Sequence, residues 1–274
     1  MKKFYFLCLV LILVFISACG TKKIDYTSIN DKEKETKKTE DAIKFTNKEI
    51  VKSYKDCKPG TENCTYIKLS YIEATEGKIK DKVNQLINKD LLFAYDMPDK
   101  NYKNVDDMIN TFMRDFETFR KDVPAAPQVW TLDMAIKVYA ETDKILCLSS
   151  ELSSYLGGAH PNSSTEFYNI DKQTGDTLSL VNLLKPGFEA ALNNLIDKKY
   201  REMKGLKPGD NLAEKGDLFE NKIQFNNNFA VTKNKGLEFI YNPYEIAPYV
   251  FGPITVKLSR SELEDLIPPN SLLK

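Results

Sequence analysis

The chain has 274 residues, 42% of them hydrophobic and 28% charged, with 39 basic residues set against 39 acidic ones. That is ordinary globular composition with enough apolar material for a sizeable core. Its balanced charge excludes the basic excess that nucleic-acid binding needs, and a single histidine, His160, excludes metal sites built on two imidazoles.

The N terminus reads Met1-Lys2-Lys3 followed by FYFLCLVLILVFISA, an uncharged run of fifteen residues ending at Ala18. That is shorter than the roughly 20 apolar residues of a membrane span. A basic start, an apolar core and small residues at the end describe a secretory signal peptide over 1–18. Ile16-Ser17-Ala18-Cys19-Gly20 resembles the lipobox of bacterial lipoproteins. The resemblance implies cleavage before Cys19, diacylglycerol on its sulfur, and membrane attachment through lipid such as palmitate. Each buried methylene would contribute about 0.8 kcal/mol. In a Gram-negative host, Gly20 in place of aspartate implies the outer membrane. The alternative is a plain signal peptide with an incidental cysteine.

Removing residues 1–18 deletes Lys2 and Lys3 and no acids, so the mature chain has a formal net charge of −2. No polybasic patch for anionic lipid remains. Residues 19–42 hold few apolar side chains and interleave both signs of charge, as in GTKKIDYTSINDKEKETKKTEDA. Such a segment buries too little surface to offset its ordering entropy and reads as a disordered tether. Extended, it spans at most about 80 Å. A solvated helix with Glu and Lys three and four residues apart is the other reading.

Of the five cysteines, Cys8 leaves with the leader and Cys19 takes lipid. Cys57 and Cys64 bracket CKPGTENC, whose Lys58-Pro59-Gly60 supplies turn chemistry between the β-rich segments IKFTNKEIVKSY and TYIKLSYIEA. In an oxidising envelope they would close as a disulfide across a hairpin neck, worth about 2–3 kcal/mol for so short a loop. A two-cysteine metal site, the alternative, lacks nearby histidine or further cysteine. Cys147, in ILCLSSEL, is expected to pack as a small buried hydrophobe.

Strands are expected over 43–54 and 64–74. GKIKDKVNQLINKDLLF then places Ile79, Val83, Leu86, Ile87 and Leu91 on one helical stripe. NVDDMINTFMRDFETFRKD does the same with Val105, Met108, Ile109, Phe112, Phe116 and Phe119. QVWTLDMAIKVYAET and KILCLSSELSSYL alternate as antiparallel strands turning near Asp143. In TEFYNIDKQTGDTLSL, a turn at Thr174-Gly175-Asp176 separates short strands. A helix follows from Pro186 to Gly205, and KPGDNLAEKGD is a polar connector. NFAVTKNKGLEFIYN reads as a hairpin tipped by Asn234-Lys235-Gly236. ITVKLSRSELEDLI adds a strand and a helix whose Ser259 and Glu262 fit a capping box. Strands and helices cluster rather than alternate. The fold class is therefore α+β: antiparallel sheets backed by helices in two layers, with closely packed subdomains at 43–154 and 155–274.

Two stretches, YLGGAHPNSSTEFYNIDKQTGDTLSLVNLL and GLEFIYNPYEIAPYVFGPITVKLSRSEL, resemble the extracytoplasmic domain-of-unknown-function family shared by RsiV-type anti-sigma factors and PdaC-type peptidoglycan deacetylases. The matching positions are Gly157, Gly158, Ala159, His160 and Pro161, then Asp171, Thr174 and Gly175, then Tyr244, Glu245 and the run to Tyr249. The resemblance implies binding rather than turnover, since this region engages lysozyme in the anti-sigma factors and accompanies a separate catalytic domain in the deacetylases. Neither a sigma-binding segment nor a deacetylase domain with metal-ligand histidines is expected here.

Three readings of His160 stand: a loop fastener, a contact to a partner, or a general acid/base beside Ser163 or Ser164. The motifs HExxH and GxSxG do not occur. No metal or cofactor is expected. Asp106-Asp107 and Asp115/Glu117, which could pose as glycosidase carboxylates, lie on patterned helices and read as solvated faces. NPYEIAPYVFGP is too rich in proline for a central strand. Its aromatic residues are expected to form a second core more readily than an exposed recognition surface. Glu245 is expected to accept the His160 N–H and lock the two loops together.

The leading expectation is a lipid-anchored envelope protein whose module binds a lysozyme-like protein or peptidoglycan without catalysis. A structural envelope lipoprotein and a wall-directed hydrolase are the alternatives.

Overall fold

A computed structural model describes residues 42–124 and 129–274, so the expected leader, the lipobox at Cys19 and the tether up to residue 41 lie outside the described residues. Ala42–Lys274 forms one unit, built on two sheets. The first has the order β1-β2-β3-β4-β5, from β1 (Lys44–Ser53), β2 (Tyr66–Glu76), β3 (Thr131–Glu141), β4 (Ile145–Tyr155) and β5 (Asn162–Asp171). Between β2 and β3 the chain makes α1 (Lys80–Leu92) and α2 (Val105–Asp122). That two-helix crossover returns the chain to the end where β2 began, so β2 and β3 pair in parallel, from Tyr66↔Thr131 to Ser70↔Ala135. The expectation of purely antiparallel sheets fails at this one pair.

The helical stripes bury as their spacing dictates. Val83, Ile87 and Leu91 of α1 and Met108, Ile109, Phe112 and Phe116 of α2 pack on Ile67, Leu69, Leu132, Met134, Leu146 and Leu148 of the sheet. Asn104 starts α2 by accepting the Asp107 N–H at 2.9 Å. Cys57 and Cys64 are joined by a disulfide beneath the β1–β2 connection. The next residue, Thr65, accepts the Trp130 N–H at 2.9 Å and so ties that corner to the start of β3.

The second sheet has the order β6-β7-β8, from β6 (Phe229–Val231), β7 (Leu237–Tyr241) and β8 (Ile254–Leu258), and is antiparallel throughout. Helices α3 (Leu180–Leu183), α4 (Glu189–Lys204) and α5 (Leu212–Lys215) precede it. Leu192, Ile196 and Tyr200 of α4 pack with Leu237, Phe239, Tyr241 and Val256 in a second core. Gly205 ends α4 in the left-handed region, at φ 66°. The supposed polar connector buries Leu212 through the single turn of α5.

Three details differ from the sequence reading. The strand expected after the Thr174-Gly175-Asp176 turn reduces to one bridge, Ile170 to Thr177. Ser259 and Glu262 do make their capping box, with Ser259 N to Glu262 Oε2 at 2.7 Å and Glu262 N to Ser259 Oγ at 3.3 Å. Yet only turns and a 3-10 turn at Glu264–Leu266 follow, because Pro268 and Pro269 cannot extend a helix. Finally, β5 pairs with β4 along its length, so the first sheet runs through the 154/155 boundary and the change of core comes after Asp171.

What joins the sheets is a set of asparagine side chains along the outer edge of β5. Thr165 N donates to Asn242 Oδ1 at 2.8 Å and Phe167 N to Asn228 Oδ1 at 3.0 Å. The Asn228 amide returns a bond to Thr165 O at 2.6 Å. From β5 itself, buried Asn169 accepts Val231 N and donates to Phe229 O, both at 2.7 Å. A carboxamide offers the same C=O and N–H as a peptide unit, so side chains complete an edge that, among the described residues, no further strand of the first sheet covers. Replacing Asn228 by alanine leaves the Phe167 N–H without its partner and the Thr165 C=O with only the longer bond from Asn242 Nδ2, at 3.2 Å. It should cost about 1–3 kcal/mol in urea unfolding, against less than about 0.5 kcal/mol for exposed Asn227→Ala.

Candidate functional site

The loop from β4 to β5 turns through Gly157 and Gly158, at φ 87° and 109°, a region open to glycine and strained for other residues. Tyr155 OH donates to Gly158 O at 3.0 Å and fixes the loop from below. His160 then stands exposed at the start of β5. Its Nδ1 is 2.8 Å from Pro161 O, a group that only accepts, so Nδ1 carries the hydrogen. In the neutral imidazole, Nε2 is then left to accept from Tyr244 OH at 3.2 Å. The Tyr249 ring stacks on the imidazole with centroids 4.0 Å apart, and its hydroxyl donates to Pro161 O at 2.9 Å.

Tyr244 reaches this position from an unusual backbone. Pro243 and Tyr244 are the central residues of a turn closed by Glu245 N to Asn242 O at 3.0 Å. Tyr244 sits at φ 69°, where a side chain costs about 1–2 kcal/mol. The link expected between Glu245 and His160 is therefore overturned. Glu245 holds the turn instead, accepting Asn242 N at 2.9 Å and Asn226 Nδ2 at 2.7 Å. The residue beside it makes the contact to the histidine.

The aromatic segment is split. Tyr241 is core, as expected, and Ala247 is buried too, but Tyr244 is 55% exposed, Val250 82% and Phe251 45%. The expected second core of aromatic rings thus fails at Tyr244 and Phe251, which are exposed, while Tyr249 is half-buried. Phe219, also exposed, is tied to this segment through Phe219 N to Ile246 O at 2.9 Å, and Lys204 Nζ lies 5.6 Å from the Phe251 ring centre. A cavity of about 330 Å³ beside Glu245 is floored by Phe225, Tyr241 and Ile246.

Catalytic readings find little geometry. Both imidazole nitrogens are engaged, and neither Ser163 nor Ser164 bonds to His160. Among the described residues no cluster of three or more His, Cys, Asp or Glu side chains could hold a metal. Asp107 accepts Lys103 N at 3.0 Å, and Asp115 takes Tyr95 OH and Lys100 Nζ, both at 3.0 Å. Cys147 is buried, and burial pushes its thiol up to about 12, which makes it inert.

Three acids, Glu245, Glu166 and Asp90, interact through their charges near Asn242. Asn242 Nδ2 donates to Glu166 Oε1 at 3.3 Å. Glu166 keeps an exposed surface but is ringed by protein. Desolvation first, then the charges of Glu245 and Asp90, raise its carboxyl. Asp90 of α1 is buried. Its Oδ1 accepts Tyr168 OH at 2.5 Å, while Oδ2 has no hydrogen-bond partner among the described residues.

The sequence reading missed Asn226, Asn228 and Asn242 as site builders. A visible signal was the polar run Asn226-Asn227-Asn228 set between Phe225 and Phe229.

Residues 59–163 match the family model described as deacetylase PdaC, and residues 181–261 match that of a protein of unknown function, DUF3298. His160 falls in the first region and Tyr244 to Tyr249 in the second, so the ring cluster joins the two. Among solved structures, the chain is similar to a DUF3298 family member from Bacteroides fragilis NCTC 9343, with TM-score 0.71 and 19% identity over 85% of this chain and 97% of that one. It is also similar to a DUF3298 family protein from Pseudomonas aeruginosa PAO1, with TM-score 0.63 and 18% identity over 84% and 97%. At such identities the likeness is one of fold. No curated protein matches the chain.

Burial raises the Asp90 carboxyl above its ordinary value, so the folded state holds this proton more tightly than the unfolded chain does. Its contribution to stability is fully present below the unfolded value near 3.9 and is lost as pH rises through the folded value. Asp90→Asn should therefore gain melting temperature relative to wild type as pH increases from about 4 to 8. A constant difference across that range would contradict the burial argument.

Proposed function

We propose that this chain, which matches the PdaC model over 59–163 and the DUF3298 model over 181–261, is a lipid-anchored envelope protein whose domain binds a protein ligand, lysozyme-like in kind. The observation that carries this reading is the ring cluster of His160, Tyr244 and Tyr249, with Tyr244 held at φ 69° and half exposed and with Val250 and Phe251, next in sequence, exposed as well. Backbone strain persists where surrounding structure enforces it, and such positions concentrate at ligand clamps. Rigid aromatic rings with few rotatable bonds offer large contact area at small entropy cost, as interface anchors do. The engaged nitrogens of His160 favour a fastener over a proton shuttle.

The Ala42–Lys274 fragment should be retained by an immobilised animal-type lysozyme. Tyr249→Ala or Val250→Asp should weaken retention by about tenfold or more, as the loss of an interface anchor does. Retention on neither lysozyme nor peptidoglycan would favour a structural lipoprotein. Muropeptide release that vanishes in His160→Ala would favour the hydrolase.

The anchor is proposed from Cys19 and the residues before it. Among the described residues no helix is long and apolar enough to cross a membrane. In cells fed a palmitate analogue, the chain should incorporate label and sediment with membranes. Cys19→Ala should abolish both, whereas a retained label would place the acyl chain elsewhere.

A further inference from the structure

A second feature lies apart from the ring cluster and shares no residue with it. Between the first sheet and the β6–β7 turn runs an open groove of about 710 Å³. Four cations from separate elements line it: Lys199 of α4, Lys233 in the β6–β7 turn, Lys257 of β8 and Arg260 just beyond. Only two acids, Glu238 and Glu262, join them in the lining. In a mature chain expected to carry a net charge of −2, this is a local reversal of sign.

Both acids are already engaged. Glu238, on the buried strand β7, accepts Tyr139 OH at 2.6 Å and Lys257 Nζ at 3.0 Å, so its charge is shared between the two sheets. Glu262 accepts Lys199 Nζ at 2.7 Å and Ser259 N at 2.7 Å. The lysine bond, with those from Ser259, holds its carboxyl down to about 2, so it stays ionised at any ordinary pH. Arg260 pairs with Glu264, outside the lining, at 3.3 Å, and Lys233 has no ion-pair partner among the described residues. Lys257 is exposed while its partner Glu238 is buried, so it keeps that pair and offers its remaining N–H donors to an incoming anion. Arg260, whose Nε donates to Leu273 O at 3.0 Å, has its other guanidinium N–H groups beside the exposed Glu264 pair, which contributes little. Several N–H donors converging from different elements suit an anion with several oxygens.

We propose that this groove binds a phosphate-bearing ligand, with Lys233 and Lys257 as its principal contacts. The chemistry is that of phosphoryl oxygens, whether on a soluble polyol phosphate or on a phospholipid headgroup. The proposal is independent of the lysozyme reading, because the two surfaces have no residue in common.

The test uses the ¹⁵N-labelled Ala42–Lys274 fragment, the unit that holds both cores and the disulfide. Inorganic phosphate and glycerol phosphate, added at constant ionic strength, should give saturable amide shifts at Lys233, Asn234, Ser259 and Arg260. Lys233→Gln and Lys257→Gln, both at solvent-exposed side chains, should each raise the Kd by about tenfold. Affinity should fall as sodium chloride is raised. Sedimentation with phosphatidylglycerol vesicles that is lost in Lys233→Gln would assign the phosphoryl group to a headgroup. Saturable shifts with glycerol phosphate and no sedimentation would assign it to a soluble ligand. Neither saturable shifts nor sedimentation, or shifts unchanged in both variants, would overturn the site.

Discussion

The structure depends on a substitution of side chains for backbone along β5. A five-stranded sheet ends in a row of N–H and C=O groups that must find partners or water. Here Asn228 and Asn242 come from the second sheet's segment and take the Thr165 and Phe167 groups, while Asn169 reaches out to Phe229 and Val231. The three-residue strand β6 could not extend the sheet by ordinary pairing over that length. Carboxamides allow the second sheet to dock at the edge while keeping its own hydrogen-bond ladder. Tyr139, Phe167, Cys147 and Ala230 then fill the apolar seam between the sheets.

The ring cluster inherits its geometry from that edge. Asn242 holds Thr165 with its side chain and closes the Tyr244 turn with its own backbone. His160 precedes Thr165 by five residues of loop and strand. The distance from imidazole to the Tyr244 hydroxyl is thus set by two short covalent paths from a shared hydrogen bond. This explains why two sequence motifs some 85 residues apart meet. It also explains why the meeting residue is Tyr244: Glu245, one position on, is needed to close the turn.

Periodicity made the first core legible, because α1 and α2 carry their apolar residues on one stripe and β3 and β4 alternate. The disulfide was legible from turn chemistry between β-rich flanks. The parallel pairing of β2 with β3 was not, since it follows from where a crossover returns and not from any local pattern. The fate of SELEDLI was misread because a capping box satisfies its own donors without guaranteeing further turns. The site was half legible. Motif resemblance marked both loops, yet proline-rich aromatic segments look alike whether buried or exposed, and burial depends on what packs above them. The asparagines were passed over because polar side chains in a loop resemble solvated ones until the strand edge they serve is known.

Tyr244 shows how a site of this kind holds its shape. A glycine would meet φ 69° without strain, but it would leave Nε2 of His160 facing water. Tyrosine accepts a cost of about 1–2 kcal/mol, which the turn's closing bonds and the ring contacts must offset. Pro243 limits the unfolded alternatives of the preceding residue. Glu245 clasps the turn from one end and Asn242 from the other. The rings stand exposed in fixed positions because bonds on the protein side, and not apolar burial, hold them there. Rings held in place in this way would let a ligand of the proposed kind bind with little loss of entropy.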